Sequence, residues 1–264
     1  MADNCSMILL SCDKYLDVVK KHLDYLEKYW MDCPFEIYLG LERAELQYNG
    51  SLKIHVLNSD CAHWSERVIE HLNAVPTDYV LVTLDDFFVE ANVRKDILNL
   101  SLETIKKNTQ IANISFKPYI GEKLSEKQID CFDCRKKVRP SLVNWQIGIW
   151  DKKTLISLLS PEESPWESEL YGSLRARYCC NKEFYCVNEN SKPIDYGEGW
   201  LIVRGKWNSL EVNRIEEKCG IPIEPRNRPV EEIKAIQEPF IHRLKNRLKL
   251  TAYQMKLMMK GTHS

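Results

Sequence analysis

Two adjacent carboxylates follow the most apolar predicted strand of the chain. Asp85 and Asp86 come directly after the run Tyr79–Leu84 and precede a second apolar run. Ligands of open α/β sheets bind at the carboxyl ends of strands, so this position suits a site. Two ionised carboxylates repel each other, and a hard divalent cation relieves that repulsion and can hold phosphate oxygens. The pair indicates a site for Mg²⁺ or Mn²⁺, and a solvated acidic turn is the alternative interpretation.

A second pair of carboxylates, Glu167 and Glu169, lies in a segment that also contains Pro165 and Trp166. Apolar neighbours can desolvate a carboxylate and raise its pKa, which suits a general base. In an extended stretch the two-residue spacing places both carboxylates on one face and Trp166 on the other. Proline and acidic side chains are also typical of the first turn of a helix, which is the alternative interpretation.

Basic and aromatic side chains elsewhere are further candidates for contacts with a phosphorylated ligand. Arg67 lies on a predicted helix, and a guanidinium can make two hydrogen bonds to phosphate, although a plain surface position fits equally well. Arg204 and Lys206 flank Gly205 in a glycine-punctuated segment that suits a loop closing over a ligand. Three tryptophans could either form an apolar platform for a ligand or belong to the core: Trp145, Trp150 and Trp166.

The elements that would position these residues alternate in type. Apolar runs at 6–11, 35–40, 52–57 and 79–84 predict strands, with helical periodicity after the first run and at 64–72. Further patterns predict a helix at 95–107 and a strand at 111–116, whereas 117–145 is polar and 143–150 is again apolar. This alternation implies a mostly parallel sheet covered on both faces.

Composition excludes several classes of protein. The 264 residues carry 37 Lys and Arg against 38 Asp and Glu, a balance that argues against a nucleic-acid-binding protein. The ten cysteines are scattered and are expected to be free thiols, with a zinc site at Cys131 and Cys134 as the alternative. No apolar run is long enough to span a membrane and no secretory signal precedes the first strand, so we expect a cytoplasmic protein.

The C-terminal region differs from the rest of the chain. Pro222, Pro225 and Pro229 indicate a stiff linker. The residues beyond it, 231–260, carry seven Lys and Arg against three Glu. We predict one domain over residues 1–220, followed over 221–264 by a linker and a basic amphipathic helical tail. Such a helix suits peripheral contact with the inner face of a membrane, or packing against a protein surface. Its apolar face would be formed by Phe240, Ile241, Leu244 and Leu248, together with Met255 or Met258.

The order of these segments resembles that of glycosyltransferases with the GT-A fold. In that fold, aspartates after a strand bind the metal of a nucleotide-sugar, and the segment 84–88 is similar to this acidic motif. The usual motif is Asp-x-Asp, and Thr83 stands where its first aspartate would be. The segment 11–15 resembles the first nucleotide-contacting loop, and 64–67 resembles a phosphate-side helix. The segments 145–150 and 164–169 resemble bacterial transferases of surface-polysaccharide clusters.

The resemblance implies an α/β fold with a single Rossmann-like GT-A domain, a mostly parallel sheet flanked by helices, and a C-terminal helical extension. It implies transfer of a sugar from a nucleotide-sugar donor to a saccharide or lipid-linked saccharide, in bacterial capsule or lipopolysaccharide assembly. Asp85 and Asp86 would bind Mg²⁺ or Mn²⁺, and Glu169, ahead of Glu167, would be the base. The acceptor would contact Trp145, Trp150 and Trp166. The donor would contact Ser11, Asp13, Lys14, Arg67, Arg204 and Lys206.

Two other functions remain open from the sequence. A nucleotidyltransferase has a similar sheet and acidic metal site but usually begins with a glycine-rich basic loop, and residues 11–15 contain no glycine. A non-catalytic module that binds a saccharide or a protein would keep the scaffold with a weakened metal site, and Thr83 is the feature that favours it.

Overall fold

Strands and helices alternate through the first part of the fold. The computed structural model describes residues 4–119, 124–137, 141–197, 201–224, 228–233 and 250–258. The predicted alternation is confirmed, and the predicted bounds of the fourth strand and the third helix are reproduced. In chain order the elements are β1 (Cys5–Leu10), α1 (Leu16–Trp30), β2 (Ile37–Leu41), β3 (Ile54–Asn58), α2 (Trp64–Ala74), β4 (Tyr79–Leu84), α3 (Lys95–Lys107) and β5 (Ile111–Ser115).

The second part of the chain completes the sheet and adds helices around it. A C-terminal helix covers the described residues 250–258. The elements before it are β6 (Leu124–Ile129), β7 (Phe132–Arg135), β8 (Gly148–Asp151), α4 (Lys152–Ser157), α5 (Pro165–Tyr178), β9 (Glu183–Val187), β10 (Ile202–Val203), β11 (Lys206–Asn208), α6 (Ser209–Cys219) and β12 (Val230–Glu231).

Nine of the described strands form one mixed sheet in the order β3-β2-β1-β4-β8-β5-β9-β7-β6. The strands β1 to β4 pair in parallel, and β8 runs antiparallel between β4 and β5. The carboxyl ends of β1, β2 and β4 therefore lie at one edge of the sheet, and β8 begins at that edge. We call this the carboxyl edge, since ligands of open α/β sheets bind there.

Helices cover both faces of the sheet, as the alternating side chains of β1 require. Met7 and Leu9 pack in a core with α1 and α3, whereas Ile8 and Leu10 pack in a second core with α2 and α4. A third, smaller core joins α6 and the β10–β11 hairpin to the outer side of α1. The predicted α/β class is confirmed.

The polar segment 117–145, for which no element was predicted, contains the hairpin β6–β7, which pairs with β9 through β7. The polar side chains of β6 are largely exposed because this strand lies at the edge of the sheet. An apolar pattern could not indicate such a strand.

The predicted domain boundary at residue 220 falls just after α6, and β12 beyond it pairs with β11. Four of the apolar residues predicted to form the face of the tail helix lie outside the described residues, whereas Met255 and Met258 are described and are 54% and 51% exposed. No helix in the described part of the chain has the length and hydrophobicity needed to cross a membrane.

Candidate functional site

The two carboxylates lie in a turn at the carboxyl edge, directly after β4. Leu10 of β1 is opposite Leu84 of β4, so the residues that follow, Ser11 and Asp85, are also neighbours. The Ser11 hydroxyl donates a hydrogen bond to the Asp85 carboxylate. The backbone N–H of Phe87 donates to the Leu84 carbonyl at 3.3 Å and closes the turn. The structure thus brings Ser11 and Asp85 together at the carboxyl edge.

Burial makes two negative charges unfavourable at this position. It raises the pKa of Asp85 to about 7, although the Ser11 hydroxyl and the guanidinium of Arg228 lower it in part. The pKa of Asp86 is raised well above its usual value by burial and by the charge of Asp85. A bound cation would favour the ionised forms of both side chains. All the side-chain donors here are oxygens, which Mg²⁺ and Mn²⁺ prefer, so the residues fit such an ion.

The protein supplies few ligands for that ion by itself. In the ranges that the structure describes, no three His, Cys, Asp or Glu side chains are grouped so that they could hold a metal. Thr83, at the position of the missing first aspartate, is fully buried in β4, and its hydroxyl bonds to the Leu84 carbonyl. A hard cation at Asp85 and Asp86 would take its other ligands from phosphate oxygens and water, as Mg²⁺ commonly does.

A fully buried carboxylate near the pair, that of Glu90, is already neutralised. Glu90 accepts two hydrogen bonds from Arg214, at 2.6 and 2.8 Å, and one from Lys218 at 2.9 Å. Burial alone would raise the pKa of Glu90, but these cations outweigh it and hold the pKa below its usual value. A small cavity borders both Asp86 and Glu90. Glu90 therefore fastens α6 to the chain after β4 and is not a free ligand for a metal.

Arg228 is a site residue that sequence reasoning missed. Its guanidinium donates to the Asp17 carboxylate at 2.6 and 2.8 Å and to the Lys14 carbonyl at 2.6 Å. It also lies 4.5 Å from the centre of the Tyr15 ring. The sequence gives no signal for this contact, because 211 residues separate Arg228 from Asp17. The fold places this fixed positive charge where it lowers the pKa of Asp85.

The segment around Gly205, predicted to close over a ligand, lies beside the loop that follows β1. Arg204 and Gly205 form the turn between β10 and β11, with φ angles of 52° and 78°. A Cβ added at Gly205 would lie 3.9 Å from the Tyr15 hydroxyl, so this turn sits beside the loop after β1. Arg204 is exposed on the turn, whereas Lys206 pairs with Glu231 at 2.6 Å. Arg204 is the better placed of the two predicted donor contacts.

Asp13 and Arg67, both predicted to contact the donor, hold loops together. The Asp13 carboxylate accepts the backbone N–H groups of residues 42–44 at 3.0 to 3.2 Å. Burial raises the pKa of Asp13, but these hydrogen bonds outweigh it and lower the pKa. Arg67 pairs with Glu42 at 3.3 Å and donates to the Cys61 carbonyl at 2.9 Å. The two side chains shape the loops after β1 and β2, while Lys14 is exposed beside them.

The segment 165–169 is the first turn of α5, so the extended conformation predicted for it is wrong. The Glu167 N–H donates to the Ser164 hydroxyl at 3.4 Å, and the Ser164 N–H donates to the Glu167 carboxylate at 3.1 Å. This is a capping box, and proline at the first helical position favours it. In a helix, residues two apart are rotated by about 200°, so Glu167 and Glu169 face different surroundings.

Glu169 lies at the carboxyl edge because of its contact with the chain before β8. Its carboxylate accepts the Trp145 N–H at 2.9 Å. Gly148 of β8 is opposite Val82 of β4, so Trp145 lies beyond the end of β4, on the side of Asp85. Burial raises the pKa of Glu169, although the Trp145 N–H and nearby Lys117 lower it in part. A half-buried carboxylate with a raised pKa is suited to accept a proton.

The three tryptophans differ in exposure. Trp150 and Trp145 are only 1% and 3% exposed, and both rings are covered by the core. Neither ring presents a face to a sugar, which corrects the prediction of a three-ring platform. Trp166 is 78% exposed at the start of α5, two residues before Ser168, whose hydroxyl accepts the Trp145 indole N–H at 2.9 Å. Trp166 is the candidate from this set for contact with an acceptor.

All ten cysteines are free thiols. Cys134 and Cys186 are buried on adjacent strands, and burial raises the pKa of Cys186 to about 11.

No family model matches the chain, and no curated protein matches it in sequence. Solved structures match it in fold. The mannosyltransferase PcManGT from Pyrobaculum calidifontis, solved with GDP-Man and Mn²⁺, aligns with a TM-score of 0.50 and 10% identity over 80% of this chain and 60% of that protein. S. aureus TarS 1-349 aligns with a TM-score of 0.43 and 14% identity over 70% of this chain and 60% of TarS 1-349. The chain thus spans about 60% of the length of both proteins.

The strand order and the likeness to the mannosyltransferase define the fold. The chain has a GT-A-type glycosyltransferase fold, in which four parallel strands are followed by the antiparallel β8. The fold implied by the sequence resemblance is therefore confirmed.

Proposed function

We propose that the chain is a glycosyltransferase that uses a nucleotide-sugar donor. The observation that carries the proposal is the half-buried pair Asp85 and Asp86 at the carboxyl edge of a GT-A-type sheet, with Glu169 at the same edge. A mannosyltransferase of this fold was solved with GDP-Man and Mn²⁺, which supports the same class of donor for this chain. In this proposal Asp85 and Asp86 act on the donor, and Glu169 acts on the acceptor.

The donor side needs positive charge, since glycosyl transfer releases a nucleoside diphosphate. We propose that Asp85 and Asp86 hold Mg²⁺ or Mn²⁺, and a bound ion would neutralise charge on the leaving diphosphate. Arg228 is a fixed cation in the wall beside Asp85. Lys14 and Arg204 are exposed on the two loops that meet at Tyr15, where they can contact phosphate oxygens.

The acceptor side needs a base when the reaction inverts configuration at the anomeric carbon. The acceptor oxygen forms a bond to that carbon, the bond to the diphosphate oxygen breaks, and the hydroxyl proton moves to the base. We assign the base to Glu169, whose raised pKa favours taking the proton. The exposed ring of Trp166 offers a flat apolar surface for the acceptor.

The biological setting is proposed from the sequence resemblance and the composition of the tail. We propose a saccharide or lipid-linked acceptor in bacterial capsule or lipopolysaccharide assembly, on the basis of the segments 145–150 and 164–169. We also propose a cytoplasmic enzyme whose basic tail contacts the inner face of a membrane. Residues 1–220 would form the catalytic domain in this arrangement.

A thermal-shift screen of UDP, GDP, CDP and ADP with and without Mn²⁺ tests the proposed function. We expect one of them to raise the melting temperature only with Mn²⁺, because binding at 100 times Kd adds about 2.7 kcal/mol of stability. Asp85→Asn and Asp86→Asn should each weaken this effect yet fold as stably as the parent, since each removes an unfavourable buried charge.

Asp78→Asn, at the opposite end of β4, is the matched control and should bind like the parent. Unchanged Mn²⁺-dependent binding in both variants of the pair contradicts the metal assignment. Hydrolysis of the matching nucleotide-sugar separates an enzyme from a binding module, because only an enzyme releases the free sugar.

A further inference from the structure

His22 is a buried polar side chain of α1 that lies between the side chains packed on the sheet and those packed in the third core. It is only 1% exposed, and its helix neighbours are apolar and buried, with Val19, Leu23 and Leu26 on the sheet side and Val18 in the third core. An apolar side chain of similar size would suit this environment, since burial penalises an imidazole that lacks hydrogen-bond partners. The presence of histidine here therefore calls for a specific contact.

That contact is to the backbone of the carboxylate turn. His22 Nδ1 lies 3.3 Å from the carbonyl oxygen of Asp85. A carbonyl oxygen can only accept, so Nδ1 carries the hydrogen and donates it. Nε2 is buried and has no partner in the part of the chain that the structure describes. The neutral ring is thus the Nδ1–H tautomer, and its orientation is set by one hydrogen bond.

The imidazole ring of His22 also contacts Phe88, which follows the carboxylate turn. Its edge contacts Phe88, with ring centres 5.9 Å apart and planes at 85°. Phe88 is 1% exposed and packs in turn on Tyr25 of the same helix, at 4.8 Å between ring centres. The turn after β4 is therefore fixed at three points, by Ser11 on the Asp85 carboxylate, by His22 on its carbonyl and by Phe88 against α1.

We propose that His22 is a positioning residue for the candidate metal site. By donating Nδ1–H to the Asp85 carbonyl, it holds the turn in the conformation that presents both carboxylates to the donor diphosphate. This inference rests on the proposed function, because the turn matters only if Asp85 and Asp86 bind the donor. His22 acts through the backbone of Asp85 and touches neither metal nor donor.

Three substitutions separate this role from packing. His22→Asn places an amide N–H near the position of Nδ1, His22→Gln places it near Nε2, and His22→Leu keeps the apolar volume without a donor. We measure the affinity for UDP, GDP, CDP and ADP with Mn²⁺ at a temperature well below the melting temperature. We expect His22→Leu and His22→Gln to bind the nucleotide about tenfold more weakly than the parent, because each loses one hydrogen bond. His22→Asn restores the donor, so its affinity should be within about threefold of that of the parent.

Leu23→Ala is the matched control on the same helix. It removes a buried side chain from the core and should lower the melting temperature without changing the affinity. If His22 merely packed, its variants would follow the same pattern. The ring nitrogens give an independent measurement, since ¹⁵N NMR of the metal-free protein should show Nδ1 protonated and Nε2 bare.

The outcomes distinguish the inference from the function on which it rests. If the parent binds none of UDP, GDP, CDP and ADP with Mn²⁺, the proposed function fails and the inference with it. If the parent binds one of them and His22→Leu or His22→Gln binds it equally well, only the inference is overturned. A protonated Nε2 with a bare Nδ1 overturns the inference whatever the parent binds.

Discussion

Two glutamates at the start of α5 have different partners, and those partners separate a chemical role from a structural one. Glu169 accepts the Trp145 N–H and has a pKa raised by burial. We predict that Glu169→Gln keeps this hydrogen bond but removes the group that takes the acceptor proton. General-base catalysis contributes about 10²- to 10⁴-fold, so turnover should fall by about that factor while donor affinity stays within about twofold. Steady-state kinetics with a saturating donor measure both effects.

Glu167→Gln is the internal control for this prediction. Glutamine can replace glutamate in a capping box, so the helix start at Ser164 should persist and turnover should be nearly normal. If Glu167→Gln is inactive while Glu169→Gln turns over normally, the base is Glu167. Normal turnover in both variants would place the base elsewhere.

At the scale of elements, the contact between β2 and α2 contains a buried titratable group. His71 of α2 is 4% exposed and lies so close to Gly40 of β2 that a Cβ there would be 2.6 Å from the imidazole Cδ2. Burial lowers the pKa of His71 from 6.5 to about 4, with Arg67 adding to the effect while Glu70 and the backbone of Leu41 oppose it. The helix and the strand are therefore packed around a neutral ring.

This packing predicts how stability depends on pH. The unfolded chain protonates His71 near pH 6.5 and the folded chain only near pH 4, so acid favours the unfolded state between these values. Relative to His71→Leu, the parent should lose about 3 kcal/mol as the pH falls from 7 to 4, since each pKa unit is worth about 1.4 kcal/mol. Urea unfolding of both proteins at several pH values measures this difference. A difference that is constant with pH would contradict the prediction.

The elements also show what an apolar pattern can indicate. The strand Tyr79–Leu84 and the helix Lys95–Lys107 have regular apolar spacing, and the structure gives them the predicted bounds. The edge strand Leu124–Ile129 is polar and half exposed, so spacing carried no signal for it. Asp85 could be placed because it follows a buried strand. The contacts of Arg228 and His22 could not, because they join residues 211 and 63 positions apart.

At the scale of the whole molecule, the C-terminal helix braces the second half of α5 and, through Arg175, the chain that leads into α5. The Tyr253 hydroxyl accepts a hydrogen bond from Arg175 at 2.8 Å, and Arg175 binds Glu163 at 2.6 and 2.7 Å. The Glu163 carbonyl in turn accepts the Ser65 N–H of α2 at 3.1 Å. The tail thus connects through α5 to the segment that carries Glu169.

We predict that removing this brace lowers the stability of the chain. Tyr253→Phe keeps the ring but leaves Arg175 without one acceptor, which should cost about 1 kcal/mol. Met255→Ala, at a position 54% exposed on the same helix, should change stability by less than about 0.5 kcal/mol. Urea unfolding compares the two variants, and equal stability of Tyr253→Phe and the parent would mean that the helix does not brace α5.

The position of β8 has a consequence for the order in which the chain folds during synthesis. In the described sheet, hydrogen bonds link the half β3-β2-β1-β4 to the half β5-β9-β7-β6 only through this strand. A nascent chain can pair its first four strands early, but β5 finds no partner on them until Gly148–Asp151 has left the ribosome. Until then the edge of β4 is open, so a stall before residue 148 would leave an unpaired apolar strand exposed to other chains.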